Sequence, residues 1–302
     1  MAKPKIDLSD PRARAAIEAY KRQGVVALNI ASTFDDAVRP LYALNQRTNK
    51  VEHESSCVLL IIANHFFALS ASHVFDAVGE YELLIGCGSR LHSLAGERFS
   101  SLRGPSGTHR DDPIDASVFH ITADVPPEVR ACALSLANLD LVVAKRADEF
   151  FVASGYRVPQ SRATDEGHST ELERFPSLEL GEDHYAHYRC QQDVQLLLAF
   201  EDQVLVDMKW QTAPSIRGFS GGAMFRIDGV SVGLPPQVTA PQAKLAAILI
   251  ERRKGERNAY HSVAVGTRLS THFGLIQKFL PGIHLEALLQ EEFSRQGGRA
   301  TD

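Results

Sequence analysis

The chain has 302 residues, of which 44% are hydrophobic and 23% are charged, and its formal net charge is −5. This composition is typical of a globular protein, and the length predicts one large domain or two ordinary ones. No basic stripe points to nucleic acid as a partner. No apolar run approaches the roughly 18 residues of a membrane span, so no membrane partner is expected.

The cysteines and the N-terminus favour a cytoplasmic protein. The first residues contain no apolar core of the kind that export signals need, so direct export is not expected. The chain has four scattered cysteines without C-x-x-C spacing, so neither a metal site nor a cofactor is expected. They are interpreted as reduced thiols.

Strand signals follow a short N-terminal helix. The helix is predicted to begin at Asp10 and Pro11 and to end at Gly24. Short apolar or β-branched runs then predict strands over two sets of ranges. The ranges are 25–30, 57–62, 65–70, 81–85 and 116–121, then 149–154, 195–200, 204–208, 223–227, 244–250 and 260–265.

These signals predict an all-β protein with two closed antiparallel barrels, because closure removes exposed sheet edges. Polar segments near 160–190 and 228–243 are interpreted as surface loops. The predicted organisation runs from the N-terminal helix to helices and a tail at the C-terminus. Its parts are an N-terminal helix and leader (1–24), a first barrel (25–130), a connection (131–148), a second barrel (149–268) and C-terminal helices with a tail (269–302).

Residues 218–222 read Gly-Phe-Ser-Gly-Gly, which favours a nucleophilic serine on a tight turn. The backbone N–H groups of Gly218 and Ser220 would form an oxyanion hole. Gly218 permits a turn that a side chain would obstruct. The alternative is a glycine-rich hairpin with no chemistry.

A base and its carboxylate partner are needed to activate such a serine. His73 follows the predicted strand over 65–70 and is the candidate base. Asp115 and Asp140 both precede β-branched runs, and either could orient the histidine. The local pattern does not separate these two aspartates.

Together these segments resemble trypsin-like (chymotrypsin-fold) serine peptidases, in particular bacterial members without disulfides. Residues 69–73, Leu-Ser-Ala-Ser-His, resemble that family's T-A-A-H motif, and residues 218–222 resemble its G-D-S-G-G motif. The order histidine, aspartate, serine also matches. The resemblance covers roughly residues 20–282 and implies two six-stranded β-barrels.

The resemblance selects Asp115 as the carboxylate. Asp115 follows His73 by 42 residues, close to the family's usual interval, whereas Asp140 follows it by 67. A glycine-aromatic pair, which begins the second barrel in the family, is found here as Gly155 and Tyr156.

Three departures from the family pattern bear on regulation and location. Phe219 replaces the aspartate that pairs with a newly cut N-terminus, so that activation switch cannot operate here. Val74 replaces a disulfide-bonded cysteine, which fits a reducing compartment. Ser70 and Ser72 replace residues of the family's T-A-A-H motif that take no part in proton transfer, so this change is conservative.

The resemblance also assigns a substrate pocket. Its walls would include Pro214, Arg217, Ile250 and Glu251. Pro214 stands where trypsin has an acidic residue, and Arg217 would bias the site toward acidic groups. The alternative for Glu251 is an exposed residue at a strand end.

The sequence therefore predicts a serine endopeptidase that acts on a protein or peptide substrate through His73, Asp115 and Ser220. A regulatory partner protein is expected by analogy with intracellular members of the family. The alternative is a protease-fold binding or sensor module with little or no turnover.

Overall fold

The computed structural model describes most of the chain. The described residues are 7–78, 81–141, 149–157, 162–164, 167–206, 209–213, 215–232, 241–256 and 260–298. Within them the protein is mostly β, with antiparallel sheets, one of which curls into a half-barrel.

The described strands fall into two large sheets and two hairpins. The strands are β1 (Val38–Asn45), β2 (Lys50–Ile62), β3 (His65–Ala71), β4 (Glu82–Cys87), β5 (Arg90–Ser93), β6 (Gly96–Ser100), β7 (Ala116–Ile121), β8 (Glu149–Tyr156), β9 (Arg162–Thr164), β10 (Gly167–Ser169), β11 (Leu172–Leu178), β12 (Gln195–Ala199), β13 (Gln203–Val206), β14 (Lys209–Thr212), β15 (Ala223–Ser231), β16 (Gln242–Arg253) and β17 (Val263–Arg268). The first sheet has the order β5-β4-β1-β2-β3-β7-β6, and the second has the order β11-β8-β15-β16-β17-β12. β9 pairs with β10, and β13 pairs with β14.

The described residues also form six α-helices. They are α1 (Pro11–Ala31), α2 (Ser72–Val78), α3 (Pro127–Arg130), α4 (Glu182–Tyr188), α5 (Leu269–Phe279) and α6 (Leu285–Gly298), with 3₁₀ turns at Ser32–Ala37, Leu136–Asn138 and Pro281–Ile283. The predicted C-terminal helices are thus present, and the connection near residue 130 contains a short helix.

One apolar core joins the two sheets. It includes side chains from β2 and β3 of the first sheet and from β8, β15 and β16 of the second, together with α1 and α5. Leu60, Phe67, Phe225 and Ile248 are fully buried members of this core. The two sheets are therefore packed against each other, and this shared core fixes the positions of residues at their junction.

The N-terminal helix is longer than the sequence pattern predicts. Asp10 caps it by accepting a hydrogen bond from the Arg12 amide at 2.8 Å. Gly24 does not end the helix, because it lies where α1 packs against Pro176 and Phe150. The predicted helix end at Gly24 and the predicted strand over 25–30 are both wrong.

One segment was interpreted wrongly, and one strand was missed. The segment 160–190, interpreted as a surface loop, contains β9, β10, β11 and α4. β1 was not predicted, although it lies between β2 and β4 in the first sheet. The first sheet has seven described strands, and the second has six.

The packing at Gly24 predicts that Gly24→Ala stabilises the protein. A Cβ there would lie 3.4 Å from the nearest Pro176 carbon, which is ordinary contact. Alanine gains up to about 1 kcal/mol over glycine inside a helix. Urea unfolding should show this gain, and Gly274→Ala in α5, where a Cβ meets open space, serves as the matched case. A loss of stability in Gly24→Ala would contradict a helix that continues through Gly24.

Candidate active site

The register of two strands brings His73 and Asp115 together. β3 and β7 are antiparallel neighbours in which Ala71 pairs with Ala116. One step further, the Ser72 amide donates to the carbonyl oxygen of Asp115 at 3.1 Å. His73 is the second residue of α2, so the turn from strand to helix places its ring beside Asp115.

The Asp115 carboxylate accepts two hydrogen bonds from His73. Oδ1 accepts from the backbone amide at 2.8 Å, and Oδ2 lies 2.5 Å from the ring nitrogen Nδ1. The side chain of Asp115 is 6% exposed, whereas that of His73 is 36% exposed. The buried carboxylate thus fixes the ring, while the histidine keeps access to solvent.

Of the two candidate aspartates, Asp115 is the one that His73 contacts. Asp140 lies in the connection between the sheets, where its carboxylate is 3.3 Å from Nη2 of Arg226. Both of these side chains are nearly buried. Asp140 therefore takes part in a separate ion pair.

A hydrogen-bond network supports the backbone on either side of Asp115. Asp115 itself has a positive φ of 48°, an uncommon conformation for a residue with a side chain. The Ser101 hydroxyl donates to Asp112 at 2.5 Å and accepts from the Ala116 amide at 3.0 Å. The Ser72 hydroxyl donates to the Ala116 carbonyl at 2.6 Å. These bonds hold the strained residue in place.

The charge of Asp115 also sets the protonation of His73. Burial alone would lower the pKa of His73, but the hydrogen bond and the negative charge of Asp115 outweigh burial, and the pKa is raised. Glu251 and Asp76 add smaller effects in the same direction. Since only a neutral imidazole accepts a proton, the reactivity of a base at His73 rises with pH through this raised pKa.

Ser220 is presented by two consecutive tight turns. The Phe219 amide donates to the Ile216 carbonyl at 3.0 Å, and the Gly222 amide donates to the Phe219 carbonyl at 2.7 Å. The third positions of these turns are Gly218, with φ of 98°, and Gly221, with φ of 83°. Such angles are those of type II turns, which require glycine there.

These turns leave two N–H groups available beside the serine hydroxyl. Within the described residues, neither the Gly218 amide nor the Ser220 amide donates a hydrogen bond. Both residues line the cleft, so these two N–H groups remain the candidate donors of the predicted oxyanion hole.

The Ser220 hydroxyl is turned toward the second sheet. Its Oγ donates to the carbonyl oxygen of Ile250 at 3.0 Å. His73, Asp115 and Ser220 nevertheless line the same cleft of about 780 Å³. In this conformation the Ser220 hydroxyl donates to Ile250 and not to His73.

Ser56 on β2 links the turns of Ser220 to the first sheet. Its amide donates to the Ser220 carbonyl at 2.9 Å, and its hydroxyl donates to the Gly218 carbonyl at 3.0 Å. That hydroxyl also accepts from the Tyr156 amide at 2.9 Å. Ser56 is fully buried. Sequence analysis missed this residue, because a serine inside a strand carries no distinguishing signal.

Phe219 anchors the same turns from the opposite side. Its side chain is fully buried, and its ring centroid lies 5.6 Å from that of Phe175. Gly155 faces this ring, since a Cβ there would lie 2.9 Å from Phe219 Cγ. The glycine of the predicted Gly155-Tyr156 pair thus makes room for the residue that precedes Ser220.

The predicted substrate-pocket residues have different surroundings. Arg217, Ile250 and Glu251 line the cleft together with Ser220. Ile250 is 1% exposed and contributes its carbonyl, whereas Glu251 lies 2.6 Å from Arg253 in an ion pair. Pro214 lies outside the described residues.

Further charged groups line the cleft and were not predicted. Basic and acidic side chains are mixed, so the cleft has no single sign of charge. They are Glu54, Asp76, Arg110, Asp112, Arg252 and Lys254. Asp76 accepts hydrogen bonds from the amide and the ring Nδ1 of the buried His109, at 2.8 and 2.9 Å.

Two classes of feature are not found in the described part of the chain. It contains no group of three or more histidine, cysteine or acidic side chains placed to hold a metal ion. It also contains no helix long and apolar enough to cross a membrane.

The chain matches no protein-family model, and a search of curated proteins finds no significant match. An inference about function therefore depends on the geometry of this cleft and on the resemblance of its motifs.

The contacts of Ser56 predict a specific loss of stability in Ser56→Ala. This change leaves the Gly218 carbonyl and the Tyr156 amide without their side-chain partner, which should cost about 1–3 kcal/mol. Ser154→Ala is the matched control, because its hydroxyl is buried without a partner among the described residues. Urea unfolding should show a loss in the first variant and no loss in the second. Equal losses would show that Ser56 has no special role.

The electrostatics of His73 predict how its pKa responds to charge. NMR titration should give a pKa above the usual value of about 6.5. Glu251→Gln should lower this pKa, because it removes a negative charge that favours the protonated ring. Asp115→Asn should lower it further, since the hydrogen-bonded carboxylate has the larger effect. A pKa that does not change in Asp115→Asn would refute this account.

Proposed function

We propose that the protein is a serine endopeptidase that hydrolyses peptide bonds through Ser220, His73 and Asp115. The observation that carries the proposal is the hydrogen-bonded His73–Asp115 pair, which shares one cleft with a serine on two glycine turns. A base oriented by a carboxylate beside a hydroxyl nucleophile is the arrangement that acyl transfer requires. The resemblance to trypsin-like serine peptidases supports the same conclusion.

The first chemical step is formation of an acyl-enzyme. Ser220 Oγ leaves the Ile250 carbonyl and turns to Nε2 of His73, which accepts its proton as Oγ attacks the scissile carbonyl. The N–H groups of Gly218 and Ser220 stabilise the oxyanion of the tetrahedral intermediate. Asp115 stabilises the imidazolium through Nδ1. His73 then gives the proton to the leaving amine, and an ester remains on Ser220.

The second step is hydrolysis of that ester. His73, again neutral, removes a proton from a water molecule that attacks the acyl carbon. The same two N–H groups stabilise the second oxyanion, and the proton returns from His73 to Ser220 Oγ. The cycle needs neither metal nor organic cofactor.

The proposed fold is the double β-barrel of trypsin-like peptidases, with six strands in each barrel. Supporting it, His73 follows β3 and Asp115 precedes β7, both strands of the first sheet, while Ser220 lies on a turn that leads into β15 of the second. The order β11-β8-β15-β16-β17-β12 supplies six strands for the second barrel. In the first, one of the seven strands would lie outside the barrel.

The proposed substrate is a protein or peptide, and the proposed location is the cytoplasm. The four cysteines are free thiols, which fits a reducing compartment. Neither nucleic acid nor a membrane is a proposed partner. Arg217 beside the oxyanion turn would favour acidic groups in the substrate.

A regulatory partner protein is part of the proposal, because the Ser220 hydroxyl donates its hydrogen bond to the Ile250 carbonyl. This contact favours a dormant enzyme in which substrate or a partner turns the serine toward His73. The same contact supports the alternative function, a protease-fold binding or sensor module with little or no turnover.

Labelling with a fluorophosphonate probe tests the proposal. The folded chain should be labelled at Ser220, either alone or after addition of host lysate, because only an activated serine reacts with the probe. His73→Ala should slow labelling by at least about 10²-fold, since it removes the general base. Ser215→Ala is the matched control within the cleft and should leave the labelled position unchanged.

The outcomes separate the alternatives. Labelling of the isolated chain supports the constitutive peptidase, and labelling only after addition of host lysate supports the dormant form. No labelling under either condition supports the sensor module. Labelling that is indifferent to His73 would refute the mechanism.

A further inference from the structure

Two cysteines that are distant in the sequence lie together at the edge of the first sheet. Cys87 ends β4, and Cys132 follows α3 in the connection between the sheets. Their sulfur atoms are 3.7 Å apart. This separation is roughly 1.7 Å more than the bonded S–S distance of about 2.05 Å. A modest side-chain rotation would therefore bring them into bonding contact.

The two thiols differ in accessibility. Cys87 is 6% exposed, and burial raises its pKa to about 11. Cys132 is partly exposed, and its Sγ is 3.0 Å from the Glu128 carbonyl. An oxidant in solution therefore reaches Cys132 first.

A buried guanidinium faces the accessible sulfur. Nη2 of Arg39 donates to Cys132 Sγ at 3.0 Å and to the exposed Asp36 carboxylate at 2.8 Å. Arg39 is 8% exposed, and its Nε has no partner among the described residues. The buried arginine thus holds the Cys132 sulfur in a fixed position close to Cys87.

We propose that Cys87 and Cys132 are a peroxide-sensitive thiol pair that forms a reversible disulfide in the folded protein. Cys132 acts as the attacking thiolate and Cys87 as the resolving thiol. The pair is separate from the cleft of Ser220 and does not depend on the proposed peptidase activity.

The chemistry uses a hydroperoxide as the oxidant. The Cys132 thiolate attacks the terminal peroxide oxygen, the O–O bond breaks, and Cys132 becomes a sulfenic acid. The other peroxide oxygen leaves with a proton as water or an alcohol. Cys87 sulfur then attacks the sulfenic sulfur, and the hydroxyl leaves as water with the Cys87 proton. Two thiols lose two electrons, and one peroxide gains them.

The remaining cysteines provide internal controls. Cys57 is fully buried, and burial raises its pKa to about 12. Cys190 is partly exposed and accepts a hydrogen bond from Arg253 at 3.4 Å. Cys190 therefore resembles Cys132 in exposure and in having an arginine neighbour, but the adjacent second thiol is present only at Cys132.

Mass spectrometry of the full folded chain after hydrogen peroxide treatment tests this proposal. Unreduced digests should contain one linked pair of peptides, joining Cys87 to Cys132 with loss of two hydrogen atoms. Dithiothreitol should separate the pair. Cys190→Ser should leave the link intact, and Cys132→Ser should abolish it.

Two further variants distinguish the roles of the thiols. In Cys87→Ser the sulfenic acid on Cys132 cannot be resolved, so dimedone should label Cys132 more strongly than in the parent chain. Cys87→Ala, checked for folding by circular dichroism, should give the same result if serine is not tolerated at this buried position. Absence of added labelling in a folded variant would refute the assignment of Cys87 as the resolving thiol.

The hydrogen bond from Arg39 to Cys132 is tested by substituting the arginine. Arg39→Gln should slow formation of the link, because Cys132 Sγ loses the hydrogen bond from Nη2 that positions it. Arg253→Gln is the matched control and should leave that rate unchanged. The proposal is overturned if the folded parent chain forms no Cys87–Cys132 link, or if links involving Cys57 or Cys190 form equally fast.

Discussion

The candidate site depends on the hydrogen bonds that Ser56 makes across the junction of the two sheets. His73 and Asp115 lie at the ends of two neighbouring strands of one sheet, and Ser220 lies on turns that lead into the other. The amide and hydroxyl of Ser56 hold the carbonyl groups of Ser220 and Gly218 at 2.9 and 3.0 Å. Because Ser56 is buried, water does not compete for these hydrogen bonds. They therefore hold the two sheets in one relative position.

The backbone around the candidate site is closely constrained. Asp115 is held at a positive φ by its neighbours, and the turns of Ser220 require glycine at 218 and 221. A Cβ at Gly221 would lie only 1.9 Å from the Ser56 carbonyl oxygen. The side chain of Ser220 itself is held by one hydrogen bond, which its hydroxyl donates to the Ile250 carbonyl.

Much of the candidate site could be predicted from sequence, because its residues lie in short motifs next to strands that the sequence pattern predicts. The strand over 116–121 was predicted with the bounds that the structure has, and the strand over 65–70 lacked one residue. These two strands place His73 beside Asp115. The Gly-Phe-Ser-Gly-Gly segment does form tight turns, as its glycines indicate.

Other features depend on tertiary contacts that no local pattern reveals. Val25 and Val26 resemble a strand by their β-branched side chains, but they lie on the exposed side of α1. Packing on Pro176 explains why the helix continues past Gly24. β11 joins the second sheet despite its polar flanks. Ser56 and the Cys87–Cys132 contact involve residues that are far apart in sequence, so no local signal could reveal them.

The burial of Phe219 has a consequence for how the site can be switched. Opening the turns would expose this ring to water, which costs about 2 to 3 kcal/mol. At equilibrium an open form would then be populated at roughly a few per cent or less. The turns that carry Ser220 are therefore held in place by the same apolar cluster that packs the second sheet, and any process that rearranges them must first expose Phe219.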